Sequence, residues 1–166
     1  MQARFCVRCG AKLVRRRIEK RLRPVCPECG HIAFRNAKPA VGVLIERRGL
    51  FLLVRRERAP FKGYWDIPGG FLEEDEDAHD GAKREAREET GLRVGIDGLI
   101  GVYHDKNGGD YTLNLYYEAH VIGGREKAGD DADDLRWFDL GEIPKRIAFP
   151  GHTRAVLRDW RRGRRS

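Results

Sequence analysis

The stretch from Gly70 to Leu92 limits what this chain can fold into more than any other part of it. It reads Gly70-Phe71-Leu72-Glu73-Glu74-Asp75-Glu76, then seven residues, then Arg84-Glu85-Ala86-Arg87-Glu88-Glu89-Thr90-Gly91-Leu92. Asp77 suits a helix N-cap and Gly91 the left-handed position just past a helix end, so a helix is predicted between them. At about 100° per residue, Glu85, Glu88 and Glu89 fall within an arc of roughly 100° on that helix. Ala78, Ala82 and Ala86 recur every four residues as a neighbouring stripe, small enough to let the helix lie close to a sheet. Three like charges beside a buried stripe destabilise a helix unless a cation neutralises them. Mg²⁺ or Mn²⁺ suits the task, since each prefers oxygen ligands and bridges to phosphate oxygens. Gly81, in the middle of the helix, costs about 1 kcal/mol relative to Ala, and nothing in the sequence explains it.

The four cysteines form two pairs, Cys6-Val7-Arg8-Cys9-Gly10 and Cys26-Pro27-Glu28-Cys29-Gly30, with sixteen residues between them. Two residues between thiolates make a turn that aims both sulfurs at one ion, and the following Gly can take a positive φ. Two such turns complete the tetrahedral four-thiolate site typical of structural Zn²⁺, with no position left for water. Disulfides suit an exported chain. The N-terminus has no basic region followed by an apolar signal core, so a cytoplasmic protein with zinc at Cys6, Cys9, Cys26 and Cys29 is expected. Between the knuckles, Lys12 to Arg23 reads as a basic two-stranded ribbon too small to hold itself together by apolar burial, so the metal is expected to supply its folding energy.

Charge is divided along the chain. Residues 1–38 carry eleven Lys/Arg against two Glu, residues 39–157 seventeen against 23 acidic groups, and residues 158–166 five Arg against Asp159, giving +9, −6 and +4 and the total of +7. A polyanion would meet the ends and a cation the middle. Arg15, Arg16, Arg17, Lys20, Arg21 and Arg23 could touch phosphates, but no aromatic lies between the knuckles to stack on bases, so nucleic acid is not the favoured partner. Apolar runs such as Val41 to Ile45 and Leu50 to Val54 are strand-length, which excludes a membrane-spanning helix.

The division predicts a zinc ribbon over 1–37 and a second domain over 38–166, joined by Asn36-Ala37-Lys38-Pro39. Ala40–Arg47 and Leu50–Arg56 read as a hairpin turning at Arg48-Gly49. Tyr64 to Pro68 reads as a strand that ends in a Gly69-Gly70 turn. Val94–Tyr103 and Tyr111–Val121 read as strands joined by the polar turn Asp105 to Gly109. Gly151 to Arg162 reads as a closing helix with Val156, Leu157 and Trp160 on one face. His104 and His152 are expected on loops or the surface.

The pattern Gly-x5-Glu-x7-Arg-Glu-Ala-x-Glu-Glu-x-Gly-Leu resembles the Nudix box at every defined position. Together with the Cys knuckles, Asn-x-Lys-Pro, Leu-Val-Arg-Arg, Gly-Tyr-Trp, Leu-Arg-Trp-Phe and Glu-Ile-Pro, it makes nearly the whole chain similar to Nudix hydrolases with a zinc ribbon. The resemblance implies an α/β/α sandwich with a mixed sheet, in which the box is a loop, helix and loop that presents a metal. It implies that Glu85, Glu88 and Glu89, with the Gly69 carbonyl, hold Mg²⁺ or Mn²⁺. It implies that Arg84 orients a glutamate and that Glu76, Gly70 and Gly91 support the box. A divalent ion lowers the pKa of bound water and clamps phosphate oxygens, while a carboxylate takes the proton. Glu85 is the candidate base within the box, and the cluster Asp130-Asp131-Ala132-Asp133-Asp134 is the alternative.

The implied substrate is a nucleoside diphosphate joined to another group, of the ADP-ribose or FAD type. The alternatives are NADH, NAD-capped RNA or a nucleoside triphosphate, and, in another class, a nucleotide-sensing or nucleic-acid-binding regulator. NADH pyrophosphatases carry Ser-Gln-Pro-Trp after the box, where this chain has Gly101-Val102-Tyr103-His104-Asp105. A regulator tends to lose the box carboxylates, and here all are present. Trp65, Arg56 and Phe149 are the substrate-binding candidates, with Phe34 and Tyr64 as further aromatics that could equally be core. The resemblance also implies a homodimer.

Overall fold

A computed structural model describes residues 3–107, 110–129 and 131–163 of the protein, which divides into two compact units, Met1–Ala37 and Lys38–Ser166. In the first, β1 (Val14–Ile18) and β2 (Arg21–Val25) pair antiparallel, with Val14 opposite Val25 and Ile18 opposite Arg21. Both turn residues, Glu19 and Lys20, are left-handed, the primed-turn geometry that matches the twist of a two-stranded ribbon. Only Cys6, Val25 and Cys26 are buried among the described residues of this unit, too little apolar surface to hold it folded. Each knuckle closes with its glycine at positive φ, 74° at Gly10 and 72° at Gly30, and the glycine N–H donates to the carbonyl of Cys6 or Cys26.

The second unit is built on seven strands: β3 (Lys38–Arg47), β4 (Leu50–Arg56), β5 (Trp65–Asp66), β6 (Gly69–Phe71), β7 (Leu92–Asn107), β8 (Asp110–Gly124) and β9 (Ala132–Phe138). They form one sheet in the order β5-β4-β3-β8-β7, with β6 also on β3 and β9 also on β4. The β3–β8 pair is parallel and the other described pairs of this sheet are antiparallel, so the sheet is mixed. Alternate residues of β3 go to opposite faces. Val41, Val43 and Ile45 meet Ala82 and Ala86 of α1 (Ala78–Thr90), and Leu44 joins Val156, Leu157 and Trp160 of α2 (Pro150–Gly163). The result is an α/β/α sandwich. No helix among the described residues is long and apolar enough to cross a membrane.

Three expectations change. Lys38 and Pro39 are not linker but the first residues of β3, paired with Thr112 and Leu113. Gly69 and Gly70 do not form a turn; they run as β6 against Gly42 and Val41, where a Cβ on Gly69 would strike the Val41 carbonyl. The two long strands exceed their predicted lengths, because residues that read as a polar turn go on pairing, Asp105 with Thr112, Lys106 with Tyr111 and Asn107 with Asp110. Asp105, Lys106 and Asn107 therefore belong to β7, while Gly108 and Gly109 lie outside the described residues.

Candidate active site

Helix α1 is bounded as its sequence predicts. The Asp77 carboxylate accepts from the N–H groups of His79 and Asp80 at 2.8 and 2.9 Å, and Gly91, at φ 71°, donates to the Arg87 carbonyl. The loop after β8 closes over the helix end, with the Lys127 N–H donating to the Thr90 carbonyl and the Gly129 N–H to that of Glu89. It thereby becomes one wall of a cavity of about 540 Å³ whose lining includes Glu85, Glu88 and Glu89.

Glu88 is exposed, whereas Glu85 and Glu89 are half-buried; Glu89 lies against β6. Its Oε2 accepts from the Gly69 N–H at 2.9 Å, and burial, reinforced by the charges of Asp66 and Glu85, pushes its pKa up to about 8. Burial also raises Glu85, against the pull of Arg84. Gly70 stands where the Glu85 carboxylate passes, since a Cβ there would fall on that carboxylate. Arg84 is the hub of the cluster. Its Nε and Nη2 donate to the two Glu76 oxygens at 3.0 and 2.6 Å, its Nη1 to Glu85 at 2.8 Å and to Glu88 at 3.2 Å, and its Nη2 also to the Phe71 carbonyl. The Arg84 guanidinium and the Glu73 N–H hold the Glu76 carboxyl down at about 2.

That depressed value fixes the sign of a pH effect. Glu76 contributes stability at any pH above the ordinary carboxylate range, and the contribution is lost as pH falls through about 4 toward 2. Glu76→Gln should therefore lower the thermal midpoint at pH 7, with the gap to the parent closing in that acid window. A gap that does not change with pH would remove the ion pair from the account.

The fold brings further charges to the same cavity that the sequence did not single out. Arg58, Arg87 and Lys127 line it together with the three glutamates. Asp131 lies on the wall and is paired with Arg58 at 2.7 Å. Its neighbours Asp133 and Asp134 are engaged by Arg55 at 2.6 and 3.7 Å, and Asp130 lies outside the described residues. Asp66 is buried, facing Arg56 at 3.4 Å, and burial pushes it up to about 7. A carboxylate between Trp65 and Ile67 in an apolar strand was the only signal for it.

Of the substrate-binding candidates, Arg56 and Phe149 meet, with the guanidinium 5.2 Å from the ring centroid, and Phe61 packs edge-on to Phe149 at 4.8 Å. Trp65 faces the other side of β5 from Asp66 and packs at 5.0 Å on Phe138. Tyr64 lies against Phe61, and Phe34 belongs to the first unit. His152 is not on the surface: it is buried in α2, within 3.0 Å of Asp105, with its ring stacked on Phe149. His104 stacks on Tyr111 and is exposed.

In the first unit the four cysteine sulfurs lie within 4.8 Å of one another, with Cys6–Cys29 and Cys9–Cys29 at 3.6 Å and Cys9–Cys26 at 3.4 Å. All four are free thiols. A tetrahedron of Zn–S bonds near 2.3 Å has edges of about 3.8 Å, so the donor set fits a zinc ion.

Residues 36–159 match the NUDIX domain family. The chain belongs to that family. It is 40% identical over 128 residues to an ADP-ribose pyrophosphatase of Methanocaldococcus jannaschii, covering 75% of this chain and 74% of that one. It is 30% identical over 142 residues to the NAD-capped RNA hydrolase NudC of Pseudomonas aeruginosa, covering 85% of this chain but 49% of NudC, so it spans about half the length of that relative. Among solved structures, a NUDIX hydrolase from Nitrosomonas europaea superposes with a TM-score of 0.82 at 32% identity, covering 98% of this chain and 89% of the other. The Nudix box of this chain thus spans β6, α1 and the loop between them, the segment whose carboxylates face the cavity.

Proposed function

We propose that this Nudix pyrophosphohydrolase uses Mg²⁺ or Mn²⁺ to cleave the anhydride of a nucleoside diphosphate joined to a second group, with ADP-ribose or FAD as the substrate type. The observation that carries the reading is one cavity lined by three helix carboxylates and three cations, Arg58, Arg87 and Lys127. The carboxylates suit a hard divalent ion and the cations suit phosphate oxygens. The identity to an ADP-ribose pyrophosphatase over three quarters of each chain supports the choice of substrate.

Glu85, Glu88 and Glu89, with the Gly69 carbonyl, would hold the ion, which supplies an acidified water and charge neutralisation. Glu85 is assigned as the base that takes the water proton. The water oxygen bonds to one phosphorus as that phosphorus loses its bond to the bridging oxygen, and the second phosphate departs with the electron pair. ADP-ribose would give AMP and ribose 5-phosphate. Arg84 and Glu76 are support rather than chemistry, holding Glu85 and the box loop in place. Asp131, on the cavity wall, is the alternative base. Glu85→Gln should cost more in kcat than Asp131→Asn, and the reverse ranking would move the proton transfer to Asp131.

Zn²⁺ at Cys6, Cys9, Cys26 and Cys29 would be structural, since four thiolates leave no position for an activated water. A cytoplasmic homodimer is the proposed form. The second reading, cleavage of NAD-capped RNA or NADH, is favoured by the likeness to NudC. Turnover measured side by side on ADP-ribose, FAD, NADH, dinucleoside polyphosphates and nucleoside triphosphates separates the two, with ADP-ribose or FAD expected to give the highest kcat/KM.

The contact between Gly70 and Glu85 gives a sharper expectation. Gly70→Ala should displace the Glu85 carboxylate and lower kcat about 10²-fold while leaving the fold intact. Unchanged turnover would mean that Glu85 need not stand where it does.

A further inference from the structure

We propose that the four-cysteine unit binds single-stranded nucleic acid along the groove between β2 and the segment after the second knuckle. This inference is independent of the substrate assigned to the hydrolytic cavity. The sequence offers no aromatic between the knuckles, but the fold supplies one from outside them. Phe34 folds back under Arg23, whose guanidinium carbon lies 4.7 Å from the ring centroid. The two residues line a groove of about 300 Å³ with Arg21, Leu22 and Arg35.

Three features of the groove point to a ligand that is both anionic and flat. Phe34 stays 57% exposed and Leu22 63% exposed, although both line a concave surface. The Arg23 Nε is buried with no hydrogen-bond partner among the described residues, an unmet donor on a residue that lines the groove. Beside the groove lining, Arg16 stands directly across the ribbon from Arg23, a like-charge pair that weakens the hairpin unless an anion lies against it. Residues 1–38 carry +9, with Glu19 and Glu28 as the only acids, and neither lines the groove.

Phosphate alone accounts for the arginines but not for an exposed ring beneath one of them. A base stacked on Phe34, with its backbone on Arg21, Arg23 and Arg35, uses all of these features. Paired bases in a duplex do not offer their faces to such a ring, so a single strand fits and a duplex does not.

The test is fluorescence anisotropy of a labelled decaribonucleotide with a 5′-hydroxyl end, titrated with the full-length zinc-loaded protein at low salt without added divalent ion. This probe has no anhydride and cannot be a hydrolysis substrate. The single strand should bind, and its duplex should bind more weakly. Phe34→Leu, which keeps apolar volume and removes the ring, should weaken binding about fivefold or more, while Phe34→Tyr should retain it. Arg23→Gln should weaken binding and lower the slope of log K against log salt by about one. Zinc content and thermal unfolding of each variant verify its fold. Failure of the strand to bind overturns the proposal, as does wild-type affinity in Phe34→Leu, which would mark a site for charge alone. Displacement of the strand by excess ADP-ribose would also overturn it, by locating the binding in the hydrolytic cavity.

Discussion

Glu89→Gln should lower turnover of ADP-ribose by about 10²–10³-fold and leave the protein at least as stable as the parent when no divalent ion is present. The two effects share one cause. Glu89 is half-buried, and desolvation together with the charges of Asp66 and Glu85 disfavours its ionised form, so a neutral side chain of the same shape avoids that cost. The amide oxygen can still accept from the Gly69 N–H, which keeps the carboxamide in place. What disappears is one anion from the set that would hold the cation, and activity is lost for a gain in stability. The measurements are kcat as a function of Mg²⁺ and the thermal midpoint without it. Near-native turnover with an unchanged metal dependence would remove Glu89 from the ligand set.

Cys26→Ser should release one zinc per chain and unfold the ribbon, leaving the Nudix unit folded. Among its described residues the ribbon buries only Cys6, Val25 and Cys26, while binding of a structural zinc is worth about 10–16 kcal/mol in zinc-finger peptides. Nothing else in that unit is of comparable size. Elemental analysis after dialysis against a weak chelator gives the stoichiometry, and amide hydrogen exchange separates the two units. Loss of protection should be confined to the first 37 residues. Stoichiometric zinc in the variant would show the ligand set to be wrong.

What could be read before folding was whatever the chain encodes locally. Helix α1 was legible to its caps, because Asp77, the alanine stripe and Gly91 act within a turn or two of their own positions. The knuckles were legible for the same reason. The function of Gly81 was not: a Cβ there would press on Leu72 and Glu76, so the glycine lets the box loop lie on the helix, a contact no helical periodicity reveals. Strand β6 was missed because two glycines read as a turn, whereas pairing with β3 decides their conformation. The far end of β7 was hidden because Asp105, Lys106 and Asn107 are turn-forming polar residues, and pairing with β8 decides their conformation. Arg58, Arg87 and Lys127 come from a loop, a helix and a second loop, and only the closure of that second loop over α1 gathers them, while Asp131, named from the sequence within its acidic cluster, joins them on the wall. The residue type of His152 suggests the surface, yet Asp105, 47 residues earlier in the chain, gives the buried ring a half-buried carboxylate partner.

The most direct test of the central claim is hydrolysis of ADP-ribose in H₂¹⁸O, with Mg²⁺ or Mn²⁺ present and with both omitted. The expected result is AMP and ribose 5-phosphate in equal amounts, ¹⁸O in the phosphate of one product only, no turnover without the ion, and a drop of about 10²–10³-fold in Glu89→Gln. Turnover that persists without a divalent ion, or folded metal-supplied protein that cleaves neither ADP-ribose nor any other nucleoside diphosphate derivative, would contradict the account.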